Sequence, residues 1–176
     1  MKKIVGITVL LALALAAFFA FADGKQKEEF IRIHIRANSD AATDQEVKLL
    51  VRDALVEYLT PLLANCSDYK DAEKTLSSSL GALEEKADAV LSREGFSYSA
   101  TVTFGKENFP ARSYGELTLD SGIYEALVVS LGEGKGENWW CVAFPPLCFV
   151  PSGGKNIVYK SKILELIKKY GDKKEN

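Results

Sequence analysis

The sequence predicts an α+β domain in two layers. Two long helices pack on one face of a mainly antiparallel sheet of about four to five strands, and a short helix follows at the C-terminal end. Three observations lead there. Residues 30–36 and 96–104 alternate apolar and polar residues with a period of two, the pattern of a half-buried strand. Between them lie two long stretches whose apolar residues recur at helical spacing. Beyond them the chain is rich in strand-forming residues up to a double proline, so the predicted order is β-α-α-β-β-β-β.

In chain order, the first segment to set aside is residues 1–22. Lys2 and Lys3 precede an apolar run over 4–22, and Ala20 and Ala22 bracket Phe21 as an A-x-A site. This is the layout of an export signal. The run is also long enough to span a bilayer, so two readings stand open: a cleaved signal, or an uncleaved anchor that touches the membrane through residues 4–22. In both, the chain from Asp23 onward is expected outside the cytoplasm. Residues 23–29 form a linker, 30–151 the folded domain, and 152–176 a Ser-Gly-Gly joint with a short amphipathic helix carrying Ile163, Leu166, Ile167 and Tyr170.

The first strand is FIRIHIR, with Ile31, Ile33 and Ile35 facing the core and Arg32, His34 and Arg36 facing water. Thr43 and Glu46 are spaced as a capping box for the first helix. Val47, Leu50, Val51, Ala54, Leu55, Tyr58 and Leu62 form its apolar stripe, and Pro61 should kink or end it. A second helix is expected from Ser67-Asp68 to about Arg93, with Gly95 as its stop. The next strand shows Phe96, Tyr98, Ala100, Val102 and Phe104 on one face. A weaker strand lies around 116–119. Another covers 123–131, whose continuously apolar middle suggests burial on both faces.

Charge excludes one class of partner. Two of the 22 basic residues lie in the leader, which leaves 20 against 24 acidic residues, a net of −4 with histidine neutral. No basic stripe interleaved with aromatics is present, so nucleic acid is not an expected partner.

Residues 132–138, GEGKGEN, invite comparison with a phosphate cradle. Such a loop needs a strand delivering glycines to a helix N-terminus. Here Lys135 is followed by glycine rather than a hydroxyl residue, Glu133 and Glu137 would repel an anion, and the next segment, Trp139-Trp140-Cys141-Val142-Ala143-Phe144, is a strand by composition. The loop is expected to be a mobile hairpin tip between two strands. Adjacent residues on a strand face opposite sides, so one of Trp139 and Trp140 points away from the helices. It lies either exposed, as a binding anchor, or covered by C-terminal sequence. The surface expected to contact a partner comprises Trp139, Trp140, Lys135, Asn138 and Phe144.

Catalytic readings find little support. His34 is the only histidine, and nothing in the sequence places an orienting group beside a Cys141–His34 pair. The cysteine spacing is not that of a zinc ligand pair, and one histidine cannot complete the usual set, so neither metal nor cofactor is expected. Of the three cysteines, Cys141 and Cys148 are close enough for a disulfide, worth about 2.5 kcal/mol in the chain-entropy account. Strand geometry could equally hold the two sulfurs apart. Cys66 is then a buried or half-buried thiol.

Several segments together resemble the stage II sporulation protein R family. They are Ala37-Asn38-Ser39-Asp40, Val51-Arg52-Asp53-Ala54, Phe109-Pro110, Tyr114-Gly115, Tyr124-Glu125-Ala126 and the long block from Gly132 through Asn138-Trp139-Trp140-Cys141-Val142 and Phe144-Pro145-Pro146-Leu147-Cys148-Phe149. The resemblance covers about residues 30–150 and implies a non-enzymatic signal. Members are made in the forespore of an endospore-forming bacterium and exported into the space between the two membranes. There they trigger a membrane-embedded aspartic protease of the mother cell, which cuts the precursor of an early mother-cell sigma factor. The alternative from another class is a protein that binds or remodels peptidoglycan, with an exposed indole stacked on sugar.

Overall fold

A computed structural model of the chain describes residues 30–114 and 117–147. Its elements are β1 (Ile31–Arg36), α1 (Ala42–Ala64), α2 (Tyr69–Ser78), α3 (Leu80–Arg93), β2 (Ala100–Phe109), β3 (Arg112–Tyr114), β4 (Leu117–Leu119), β5 (Gly122–Leu131) and β6 (Asn138–Phe144). The expected leader, linker and C-terminal helix lie outside the described residues. The α+β class holds. The main sheet has four strands in the order β2-β5-β1-β6, and β3 pairs only with β4 as a separate two-stranded sheet. The main sheet is mixed, because β1 runs parallel to β5 and antiparallel to β6.

The place of β1 overturns one expectation. It lies inside the sheet, between β5 and β6, and Phe109, Tyr114, Tyr124 and Trp140 pack over the face turned away from the helices. Ile31, Ile33 and Ile35 are fully buried beneath the helices, as the alternation predicts, but Arg32 and His34 on the opposite face are also buried. The period of two correctly separated the two faces. It could not show that the second face is covered as well.

Helix α1 packs Val47, Val51, Leu55, Leu59 and Leu63 at four-residue spacing against the sheet. Leu50, expected in that stripe, is 41 % exposed. The helix begins at Ala42, before the expected capping box, and Ala41 contributes no side-chain cap. Ser39 does this work instead: its Oγ accepts from the Ala41 N–H, and its carbonyl accepts from Gln45 Nε2. Pro61 sits inside the last turns without ending the helix.

The expected second helix is two helices. Ser77, Ser78 and Ser79 each turn their hydroxyl back onto a carbonyl three or four residues earlier, and the chain breaks at Ser79. Serine competes with the helix in just this manner. Gly95, at φ +83°, closes α3 as expected, with Phe96 N–H donating to Leu91 O and Gly95 N–H to Ser92 O. β2 starts at Ala100, later than the alternation suggests, and its outer edge is blunted by α3: the N–H groups of Ala100 and Val102 donate to Asp88 and Glu84.

Candidate recognition surface

The glycine loop is not a hairpin tip. Because β1 separates β5 from β6, the chain leaving β5 must cross the end of β1 to reach β6. It does so with its backbone stitched to residues 37–40, which follow β1. Glu133 N–H donates to Asn38 Oδ1 at 2.9 Å, Lys135 N–H to Asn38 O at 3.2 Å, Gly136 N–H to Ala37 O at 2.9 Å and Glu137 N–H to Asp40 Oδ1 at 2.7 Å. At the loop's start, Gly132 N–H donates to Ser99 O. At its end, Lys48 Nζ donates to Glu137 O at 2.9 Å. These amides point inward to protein acceptors, so they form no cradle for an anion.

The glycines serve close approach rather than mobility. A Cβ on Gly136 would overlap the backbone of Ser39, and one on Gly132, at φ +54°, would overlap the Asn38 side chain. Beneath the loop, Asp44 is a buried carboxylate that accepts from Asn38 Nδ2, Ser39 Oγ and Tyr98 Oη. Burial alone would raise its pKa, but the hydrogen bonds from Ser39, Tyr98 and Asn38 outweigh it and hold the carboxyl below its ordinary value. Burial and the bond to Asp44 push the Tyr98 phenol up. Burial lowers the Lys48 ammonium, against the raising influence of Glu137 and Asp40.

The sheet face opposite the helices carries an aromatic and charged cluster. Arg32 is fully buried, with its guanidinium 4.3 Å from the Phe109 ring centroid, 4.9 Å from Tyr124 and 5.6 Å from Tyr114. Its Nε donates to Cys141 O and its Nη2 to Tyr114 Oη. One residue pair further along, His34 stacks on Trp140 with centroids 3.6 Å apart and meets the edge of Phe109 at 6.0 Å. Its Nε2 bonds Asn138 Oδ1 at 2.8 Å, while Glu107, 3.7 Å from Nδ1, is held by Arg36 at 2.9 Å. Burial is the main influence on His34 and lowers its pKa, so the imidazole is neutral at neutral pH.

Four of the five residues expected to meet a partner gather at one end of the sheet. Lys135 is exposed at the loop and paired with Glu133 at 2.7 Å. Asn138 is exposed beside His34. Both indoles are half-buried: Trp139 lies on the helix side with the Arg52 guanidinium 5.7 Å from its ring, and Trp140 lies on the other side against His34. Phe144 is different. It is fully buried in the helix-side core, because a register shift between Ile31 and Arg32 sets it opposite Ile31, so it offers no surface to a partner.

Cys141 is disulfide-bonded, and Cys66 is a free, buried thiol that donates to Leu62 O. Cys148 lies outside the described residues. Register also separates Cys141 from His34: Cys141 pairs with Ile33 and His34 with Trp140, so sulfur and imidazole face opposite sides of the sheet. Among the described residues no cluster of His, Cys, Asp or Glu could hold a metal ion.

Sequence reasoning missed Arg32, Glu107, Phe109, Asn38 and Asp44 as parts of these arrangements. A signal existed for Asn38, Phe109, Tyr114 and Tyr124, which lie in the segments that carry the family resemblance. Those segments, scattered over the chain, converge in the fold on two adjoining places: the junction of residues 37–40 with 132–138, flanked by Trp139 and Arg52, and the aromatic box around Arg32 and His34.

Comparison with known proteins bears on the same segments. The family described as stage II sporulation protein R (spore_II_R) matches residues 27–153. The protein named Stage II sporulation protein R of Bacillus subtilis (strain 168) is 36 % identical over 146 residues, which cover 83 % of this chain and 65 % of that relative's length. No solved structure matches. The match spans every strand and helix described above, and the chain belongs to the stage II sporulation protein R family.

Proposed function

We propose that this protein is an exported signal of endospore formation. It acts between forespore and mother cell, where it activates a membrane-embedded aspartic protease and so leads to cleavage of a sigma factor precursor. Membership of a sporulation family supports the setting. The observation that supports the mechanism is the meeting of two family-like segments, 37–40 and 132–138, at one end of the sheet, where a stitched loop presents Lys135 and Asn138 beside two half-buried tryptophans.

A surface ordered before binding loses little conformational freedom on docking, which favours affinity at a given contact area. Trp139 and Trp140 each keep part of the indole accessible next to a polar rim, the composition in which interface energy concentrates. Docking on the extracytoplasmic part of the protease activates it if the surface binds the active arrangement better than the inactive one. The chain itself breaks no bond in this scheme.

The test is reconstitution. The chain, targeted for export, is co-expressed with the protease and its precursor substrate, and the cleaved product is followed. Cleavage that needs the exported chain supports the proposal. Equal cleavage without the chain, or with a version confined to the cytoplasm, refutes it. The peptidoglycan reading predicts instead that the purified domain sediments with cell wall or cleaves it. It must also accommodate the fact that one face of the Trp140 ring is already occupied by His34.

A further inference from the structure

We propose that Asp44 is a positioning residue for the glycine loop: through the Asn38 amide it sets a surface that it does not itself touch. Asp44 lies in the first turn of α1, buried under the loop, and its two oxygens accept three hydrogen bonds. A carboxylate can only accept, so it draws the NH2 end of Asn38 toward itself, at 2.9 Å. That choice leaves Asn38 Oδ1 pointing the other way, where it receives the Glu133 N–H at 2.9 Å. With the amide reversed, the NH2 group would face that N–H, donor against donor.

The same carboxylate orders Ser39, whose hydroxyl donates to it at 2.6 Å. Asn38 and Ser39 thereby become a fixed platform: the Asn38 carbonyl accepts from Lys135, and the Ser39 backbone is the surface against which Gly136 fits without a side chain. On its other oxygen Asp44 holds Tyr98 at 2.6 Å, next to Ser99, whose carbonyl accepts from Gly132. Asp44 is thus one residue removed from the anchors at the start of the loop and one side chain removed from those in its middle. Asparagine at position 44 keeps all three contacts if its NH2 group faces Tyr98 and the phenol turns to accept, so alanine is the substitution that removes both acceptor atoms.

The loop-ordering role stands on the hydrogen bonds alone, and its consequence for signalling rests on the docking proposed above. The experiment compares full-length Asp44→Ala and Tyr98→Phe with the parent by amide hydrogen exchange and in the reconstituted cleavage assay. In Asp44→Ala the amides of Glu133, Lys135, Gly136 and Glu137 should exchange about tenfold faster or more, while those of Val128 and Val129 in β5 change less than about twofold. Tyr98→Phe, which keeps the Asn38–Asp44 bond, should leave the loop amides near parental rates and serves as the control if Asp44→Ala folds poorly. Loop and sheet amides accelerating together in Asp44→Ala, or loop amides unchanged, overturns the positioning role. Loop amides accelerated with cleavage undiminished keeps the positioning role and overturns the docking reading.

Discussion

Gly136, His34 and Asp44 show how single residues set this molecule's shape and response. Gly136 lies where any Cβ would meet the backbone of Ser39, so Gly136→Ala must push two backbones apart. Such overpacking should cost about 1–3 kcal/mol, read as a lower midpoint in urea unfolding. From sequence this glycine reads as a source of flexibility, because close approach between residues 136 and 39 is a property of the tertiary fold. His34 makes a pH prediction. Burial lowers its pKa from 6.5, so the unfolded chain takes up a proton at a higher pH than the folded one. Its contribution to stability is present above 6.5 and declines as pH falls from there toward the folded pKa, a dependence that His34→Gln should remove from unfolding curves. Asp44 follows the same sign over a lower range. Its lowered pKa keeps its contribution intact through the ordinary working range, to be lost only as pH falls through the folded value, below 3.8.

At the scale of elements, legibility depended on whether the deciding interactions are local. The apolar alternation of β1, the strand at β5 and the Gly95 stop rest on nearby residues and could be read directly. The parallel pairing of β1 with β5 joins residues more than ninety positions apart, as in Arg32 with Ala126, and no local pattern encodes it. From that pairing follow the burial of Arg32 and His34, the crossing of the glycine loop over β1 and the loss of the expected hairpin. The serine triplet that divides α2 from α3 is local but ambiguous, since serine is tolerated in helices and also competes with them. The blunted edge of β2 is likewise tertiary. Asp88→Ala leaves the Ala100 N–H without its acceptor, 2.6 Å away, and should cost about 1–3 kcal/mol while speeding exchange of that amide ahead of those in β5.

For the whole molecule, the account holds that a folded surface at one end of the sheet acts by being recognised. Lys135, Asn138, Trp139 and Trp140 were legible as a group because they are close in sequence. The partners that hold them, Asn38, His34, Arg52 and Asp44, were not, because they come from β1 and α1 and their surroundings. The neighbours of Phe144 in sequence point it to the surface, and the fold places it in the core. The most direct measurement is the affinity of the purified, folded chain for the intact protease in lipid nanodiscs, parent against Trp139→Ala, Trp140→Ala and Lys135→Ala. Loss of an anchor indole should weaken binding by about 2 kcal/mol or more, close to thirtyfold, in at least one tryptophan variant whose β5 amides remain protected. Parental affinity in all three variants would contradict the account.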